Sequence, residues 1–136
     1  MDKNLKLKIV TPFKDTFDGV VESCTIPGSE GSFQVLTGHA SLLSLVEIGE
    51  LKVEKSKNEI KYFATSGGFC EVNDNIIKII VESAEDSSDI DILRAKKAKE
   101  RAEKRLKDST DDVDYNRAKM AMARAINRIH IHNLSV

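Results

Sequence analysis

At Asp89 the apolar period of this chain changes from two to 3.6, and beyond that point neither glycine nor proline occurs. A strand turns successive side chains to opposite faces, whereas a helix returns to the same face every 3.6 residues. A chain that switches once from the first pattern to the second builds sheet from its first part and helix from its last. Residues 1–86 are therefore expected to form one domain and residues 87–136 another.

The first part alternates nearly throughout. "LKLKIV" alternates from Leu5, "VVESCTIP" is a β-branched run that ends in proline, and "LKVEK" and "IKYFATS" flank the polar "SKNE", which reads as a hairpin turn. "NIIKIIVES" closes the series, and "TP", "DG", "PGSEG", "TGH" and "SGG" supply turns at the spacing of many short strands. The expected fold is an antiparallel β-sandwich or flattened barrel, not alternating βαβ units.

In the second part Ser87, Ser88 or Asp89 is placed to cap a helix beginning near Ile90, with Asp89 and Asp91 against the positive end of its dipole. The pattern breaks at "KDSTDDVDY", where Ser109, Thr110 and the aspartates offer a turn and a second cap; a second helix then runs to about His130. Ala95, Ala98, Ala102 and Leu106 fall on one side of the first helix, and Ala118, Ala121, Met122, Ala125 and Ile129 on one side of the second. Alanine stripes allow close approach but bury little area, so at about 25 cal/mol per Å2 the helical hairpin is marginal alone. The fold class is thus α+β, a sandwich followed by an antiparallel two-helix hairpin.

Charge follows the same division. Residues 1–88 carry nine Lys and Arg against fourteen Asp and Glu, while residues 89–136 carry twelve against eight, so a basic arm follows an acidic body. The 40% hydrophobic content suffices for a modest core. The apolar runs are too short to cross a bilayer and "MDKNLKLKIV" lacks the apolar stretch of a signal peptide, which points to the cytosol. Cys24 and Cys70 each sit within a strand pattern without a ligand partner nearby, as reduced structural thiols do.

No catalytic constellation is present: there is no Gly-x-x-x-x-Gly-Lys phosphate loop, Gly-x-Ser-x-Gly elbow or His-Glu-x-x-His motif. His130 and His132 are spaced for different faces, with no acidic cluster beside them in sequence, so no metal site is expected. Gly67-Gly68 reads as a bulge or turn before an alternating run. Arg117, Arg124 and Arg128, seven and four positions apart, line one side of the second helix, and Arg94 and Arg101 repeat the seven-residue spacing in the first. Guanidinium forks grip phosphates and carboxylates in two places; the plain alternative is a solvated face with scattered ion pairs. A basic arm on a small β domain also fits a nucleic-acid module, although aromatics are only 5% of the chain and none lies in the basic first helix.

Three stretches, "VESCTIPGSEGSFQVLTGHASLL", "SGGFCEV" and "DIDILRAKKAKERAE", resemble the epsilon-subunit family of bacterial F-type ATP synthases, collinearly over nearly the whole chain. Thr37 and Ser41 stand where that family commonly has proline, and Gln34 where it has glycine, which leaves the shape of that loop open. The resemblance implies a non-catalytic subunit that requires no cofactor, held between the gamma subunit and the c-subunit ring of a motor driven by protons or sodium. Its location would be the cytoplasmic face of the bacterial membrane, reached only through the complex. Glu30, Gly38 and His39 lie in the stretches that match docking segments of the family. The helices would extend toward the alpha and beta subunits and restrain ATP hydrolysis, with Lys97, Arg101, Lys104 and Arg105 facing acidic beta-subunit surface. Carried over by position, Glu85, Ile90, Asp91, Arg94, Ala95, Arg124 and Arg128 would hold ATP as a regulatory ligand when the hairpin is folded.

Overall fold

The computed structural model describes residues 4–135. The chain divides between Asp86 and Ser87 into two compact units. Ten strands make up the first: β1 (Leu5–Val10), β2 (Asp15–Val21), β3 (Ser23–Gly28), β4 (Gly31–Leu36), β5 (Leu42–Val46), β6 (Gly49–Ser56), β7 (Glu59–Thr65), β8 (Gly68–Asn73), β9 (Ile76–Val81) and β10 (Ala84–Asp86).

These strands hydrogen-bond in the order β10-β7-β6-β3-β5-β8-β9-β1-β2, with β4 on β3. β3 joins two layers. Ser23 to Thr25 pair with β6, and beyond the buried Pro27 only Gly28 pairs with Val46 of β5. Proline cannot donate to a ladder, so the strand changes partner where its hydrogen bonding is already interrupted. At the far end of the path β2 lies against β6, and Phe17 of β2 meets Phe63 of β7 edge to face, with centroids 6.3 Å apart. The sheet therefore closes on itself as a flattened barrel, and its core is the apolar set predicted by alternation, including Leu5, Leu7, Ile9, Leu51, Val53, Phe63, Ile77 and Ile79. Burial of each such side chain contributes about 1.5–3 kcal/mol.

Four local expectations are revised. "VVESCTIP" is not one strand: Val20 and Val21 end β2, β3 starts at Ser23, and the N–H of Glu22 between them donates to the Glu54 carbonyl at 2.7 Å. The sheet is not wholly antiparallel, because β1 runs parallel to β9, Lys6 opposite Ile76 through Val10 opposite Ile80. Nor does β9 end the series. β10 follows, paired with β7 and tied to it by a Lys61–Asp86 ion pair at 3.4 Å.

The fourth revision concerns the helices. Ser87–Asp89 already form a 3-10 turn, so none of the three caps the first helix; Asp91, extended at φ −81° and ψ 104°, is the cap of α1 (Ile92–Asp108). α2 (Asp112–Leu134) is capped by Asp111, whose carboxylate accepts from the Asp114 N–H at 2.7 Å, and it runs four residues past His130. The intervening Ser109–Asp111 turn makes the helices an antiparallel hairpin. Ala95, Ala102, Ala118 and Ala125 are buried along the predicted seam, and α2 also packs on the 3-10 turn.

Two turns show why particular residues occupy them. Asp74 and Asn75 join β8 to β9 with φ of 49° and 61°, the two-residue geometry that suits right-twisted strands and tolerates Asn and Asp best after glycine. At Gly68 a Cβ would lie 2.7 Å from the Val81 Cα and against the Ile80 carbonyl oxygen, so β8 and β9 reach their spacing there only with glycine.

Candidate functional site

Residues of the sandwich singled out by sequence lie at two separate places. Glu30 is exposed at the tip of the β3–β4 hairpin, whereas Gly38 and His39 follow the opposite end of β4. Six residues at about 3.3 Å each put roughly 20 Å of strand between them. They are two surfaces, not one site.

The Gly38 loop is held firmly although it lacks the expected prolines. Gly38, at φ +84°, donates its N–H to Asn75 Oδ1 at 2.7 Å, and the Ser41 hydroxyl donates to Asn73 Oδ1 at 3.2 Å. The His39 N–H donates to the Leu36 carbonyl, and its Nδ1 sits 2.7 Å from the Ala40 carbonyl, an acceptor that requires the proton on Nδ1. Asn73 and Asn75 are the anchors that sequence reasoning missed. Their signal is the polar "NDN" between two alternating runs, a hairpin turn that carries no glycine.

Sequence reading also missed an apolar outer face. Leu45, Phe69 and Ile80 are direct cross-strand neighbours on β5, β8 and β9, all pointing away from the core. Leu43 and Leu45 are 71% and 62% exposed, and Phe69 and Ile80 are also open to solvent. A contiguous apolar patch on a sheet face marks a protein interface. The runs "LLSLV" and "NIIKII" carry that signal, since both of their faces are rich in apolar residues.

In the helical unit the carried-over ligand positions are distributed over both helices. Asp91 Oδ1 accepts from the Arg94 N–H at 3.1 Å as the cap, and the residue is exposed. Residues 95 and 125, and residues 102 and 118, are buried at equal distances in sequence from Thr110. The same symmetry sets Arg94 level with residue 126, between Arg124 and Arg128. Arg94 is exposed, Arg124 is half-buried, and Arg128 already makes an intramolecular contact. Ile90 and Ala95 are only 6% and 3% exposed and offer shape more than surface. Glu85 lies in β10 of the other unit, opposite Ala64.

Lys97, Arg101, Lys104 and Arg105 are all exposed along α1, and none is in an ion pair among the described residues. Nearer the turn a groove of about 710 Å3 opens on the hairpin, with Arg105, Arg117 and Arg124 in its lining together with Asp114, Asn116 and Met120. His130 is exposed and His132 half-buried, and no cluster of three potential metal ligands occurs among the described residues. No helix among them is long and apolar enough to cross a membrane.

Comparison with known proteins bears on these surfaces. Residues 4–87 match the beta-sandwich domain of the ATP synthase delta/epsilon chain, and residues 88–133 match its long alpha-helix domain. The chain is 42% identical over 128 residues to the ATP synthase epsilon chain of Syntrophomonas wolfei, covering 94% of this chain and 93% of that one. It is 44% identical over 131 residues to the epsilon chain of Nitratidesulfovibrio vulgaris, covering 96% and 97%. A chain in the Euglena gracilis mitochondrial ATP synthase (OSCP/F1/c-ring) superposes with a TM-score of 0.81 at 25% identity, over 93% of this chain and 80% of that one. A chain from the central stalk and c-ring of the Tetrahymena thermophila enzyme shares the fold at a TM-score of 0.56 and 23% identity, over 96% and 94%.

Proposed function

Because the chain belongs to the delta/epsilon family of ATP synthase chains, we propose that it serves as the non-catalytic epsilon subunit of a central stalk, joining gamma to the c-ring. The hairpin restrains ATP hydrolysis by reaching the alpha and beta subunits. Attachment to the cytoplasmic face of the membrane is through the complex, and translocation of protons or sodium belongs to the ring. Family membership favours this reading over the nucleic-acid one.

The observation that carries the docking half is the exposed Leu43, Leu45, Phe69 and Ile80 face, too apolar to remain in water on a working subunit. Glu30 and the Gly38–His39 loop, at opposite ends of β4, suit contacts with two different neighbours, the ring and gamma. What supports the restraining half is a hairpin closed by small side chains, with its basic residues turned outward and ready for an acidic partner.

ATP fits this hairpin as a regulatory ligand. Arg94 and Arg124 would bind its phosphates, the carboxylate of Asp91 would accept from the base, and buried Ile90 and Ala95 would form the floor. Arg94 and Arg124 come from different helices, so the ligand favours the packed hairpin by its differential affinity alone.

A truncation ending at Asp86 tests the docking half. It is expected to bind gamma as the full chain does in a pull-down from reconstituted subunits. A truncation that stays folded by circular dichroism yet loses gamma overturns it.

A further inference from the structure

We propose that the groove at the turn end of the hairpin, lined by Arg105 of α1 and by Arg117 and Arg124 of α2, is a binding site for an extended phosphate chain, distinct from the Asp91–Arg94 end. It shares only Arg124 with the nucleotide reading and does not depend on it.

Three arginines from two helices line one groove of about 710 Å3, within the size range of small-molecule sites. Among the described residues none of the three is in an ion pair. Asp114 is the one carboxylate of the lining, and its own N–H donates to the Asp111 cap. The groove therefore carries a net charge of +2, unlike the i,i+4 Lys99–Glu103 pair on α1, whose charges cancel. Like charges held together raise the free energy of the packed hairpin, and a polyanion bound among them reverses the sign of that contribution.

Geometry selects the kind of anion. Arg117 and Arg124 are two turns apart on α2, about 10.5 Å along its axis, so donors are distributed along the groove and not gathered at one point. Arg105, level with residue 115 by the symmetry about Thr110, covers the end nearest the turn. A condensed chain of phosphates offers oxygens at that spread, each able to take a guanidinium fork, whereas a single phosphate engages only part of the set. Asn116 adds a neutral donor, and the half-exposed Met120 adds an apolar edge to the groove. Concavity and contribution from both helices favour such a ligand over a flat acidic protein surface. A bound chain would tie α1 to α2 near their turn, as a second clasp on the alanine seam.

The probe is inorganic tripolyphosphate, titrated into the full chain at near-physiological salt and followed by calorimetry, with ATP and monophosphate in parallel. Saturable binding is expected, tighter for tripolyphosphate than for monophosphate, and weakened about tenfold or more by Arg105→Ala and by Arg117→Ala. Lys97→Ala removes equal charge elsewhere and should leave tripolyphosphate affinity within about twofold, whereas Arg94→Ala, which removes a phosphate partner of the nucleotide reading, should weaken it less than Arg117→Ala does. Arg117→Lys keeps charge and helix but loses the fork, so it should fall between wild type and Arg117→Ala even where the alanine variant is poorly folded. Absence of binding overturns the proposal. So does an equal loss with Lys97→Ala, which marks diffuse charge, or a loss with Arg94→Ala as large as with Arg117→Ala, which moves the ligand to the other end. Tripolyphosphate binding that survives Arg94→Ala while ATP affinity falls to that of tripolyphosphate supports two separate sites; wild-type ATP that binds no tighter than tripolyphosphate, with both weakened by Arg117→Ala, overturns the nucleotide reading and leaves this one standing.

Discussion

Cys24 and Cys70 are both wholly buried in the core of the sandwich. Burial chiefly, and then the nearness of Cys70, pushes the Cys24 thiol well above its ordinary value, while burial and neighbouring Glu71 push Cys70 up to about 12. Both thiols thus remain protonated in the folded protein at pH values where the unfolded chain has begun to ionise. The unfolded state then binds fewer protons than the native one, so stability falls as pH rises from about 9 towards 12 and is fully present below that window. Denaturant titrations at pH 7 and at pH 10.5 are expected to show this loss. A Cys70→Ala variant, less stable at pH 7 because of its cavity, should have a flatter alkaline limb; an unchanged slope would mean that other groups govern it.

At the scale of the element, the hairpin's character follows from alanine. Its seam allows close helix approach but buries only small side chains, whereas β1 and β9 bury leucine, isoleucine and valine at every second position. A weakly closed element opens before a strongly closed one, so amide protons of α1 and α2 should exchange faster than those of β9. Ala125 has no exposed surface. Ala125→Leu inserts three carbons where none fit, and it should destabilise the helix pair by about 1–3 kcal/mol while leaving β9 protection unaltered. Hydrogen exchange resolved by segment distinguishes this from a global loss of stability.

For the whole molecule the proposed function implies a balance between packed and partner-bound arms. Outward-facing Lys97, Arg101, Lys104 and Arg105 contribute little to the seam, and under the proposed function they would serve association with acidic surface. Replacing all four with alanine should raise ATP hydrolysis by the assembled head without reducing helicity, and the difference from wild type should shrink as salt is added. Unchanged hydrolysis at low salt would assign the restraint to other contacts. Because Arg105 also lines the groove, the triple variant that retains it separates the arm from the phosphate site.

Periodicity by itself determined that sheet precedes helix, that the strands close around an apolar core, and that two helices meet along alanine. These follow from which face each residue occupies, a property readable within a few positions. Partner choice was not readable in that way. The parallel pairing of β1 with β9, the passage of β3 between layers at Pro27, and the separation of Glu30 from Gly38 and His39 depend on segments distant in sequence finding compatible register. Only when β9 is placed beside β8 do Asn73 and Asn75 come to anchor the Gly38 loop, and only then do Leu45, Phe69 and Ile80 form one row. In the hairpin, Asp91 became the cap because Ser87–Asp89 were already committed to a 3-10 turn. Arg105 joined Arg117 because a three-residue connection folds the end of α1 back beside the start of α2, an outcome of chain reversal that no spacing within either helix encodes.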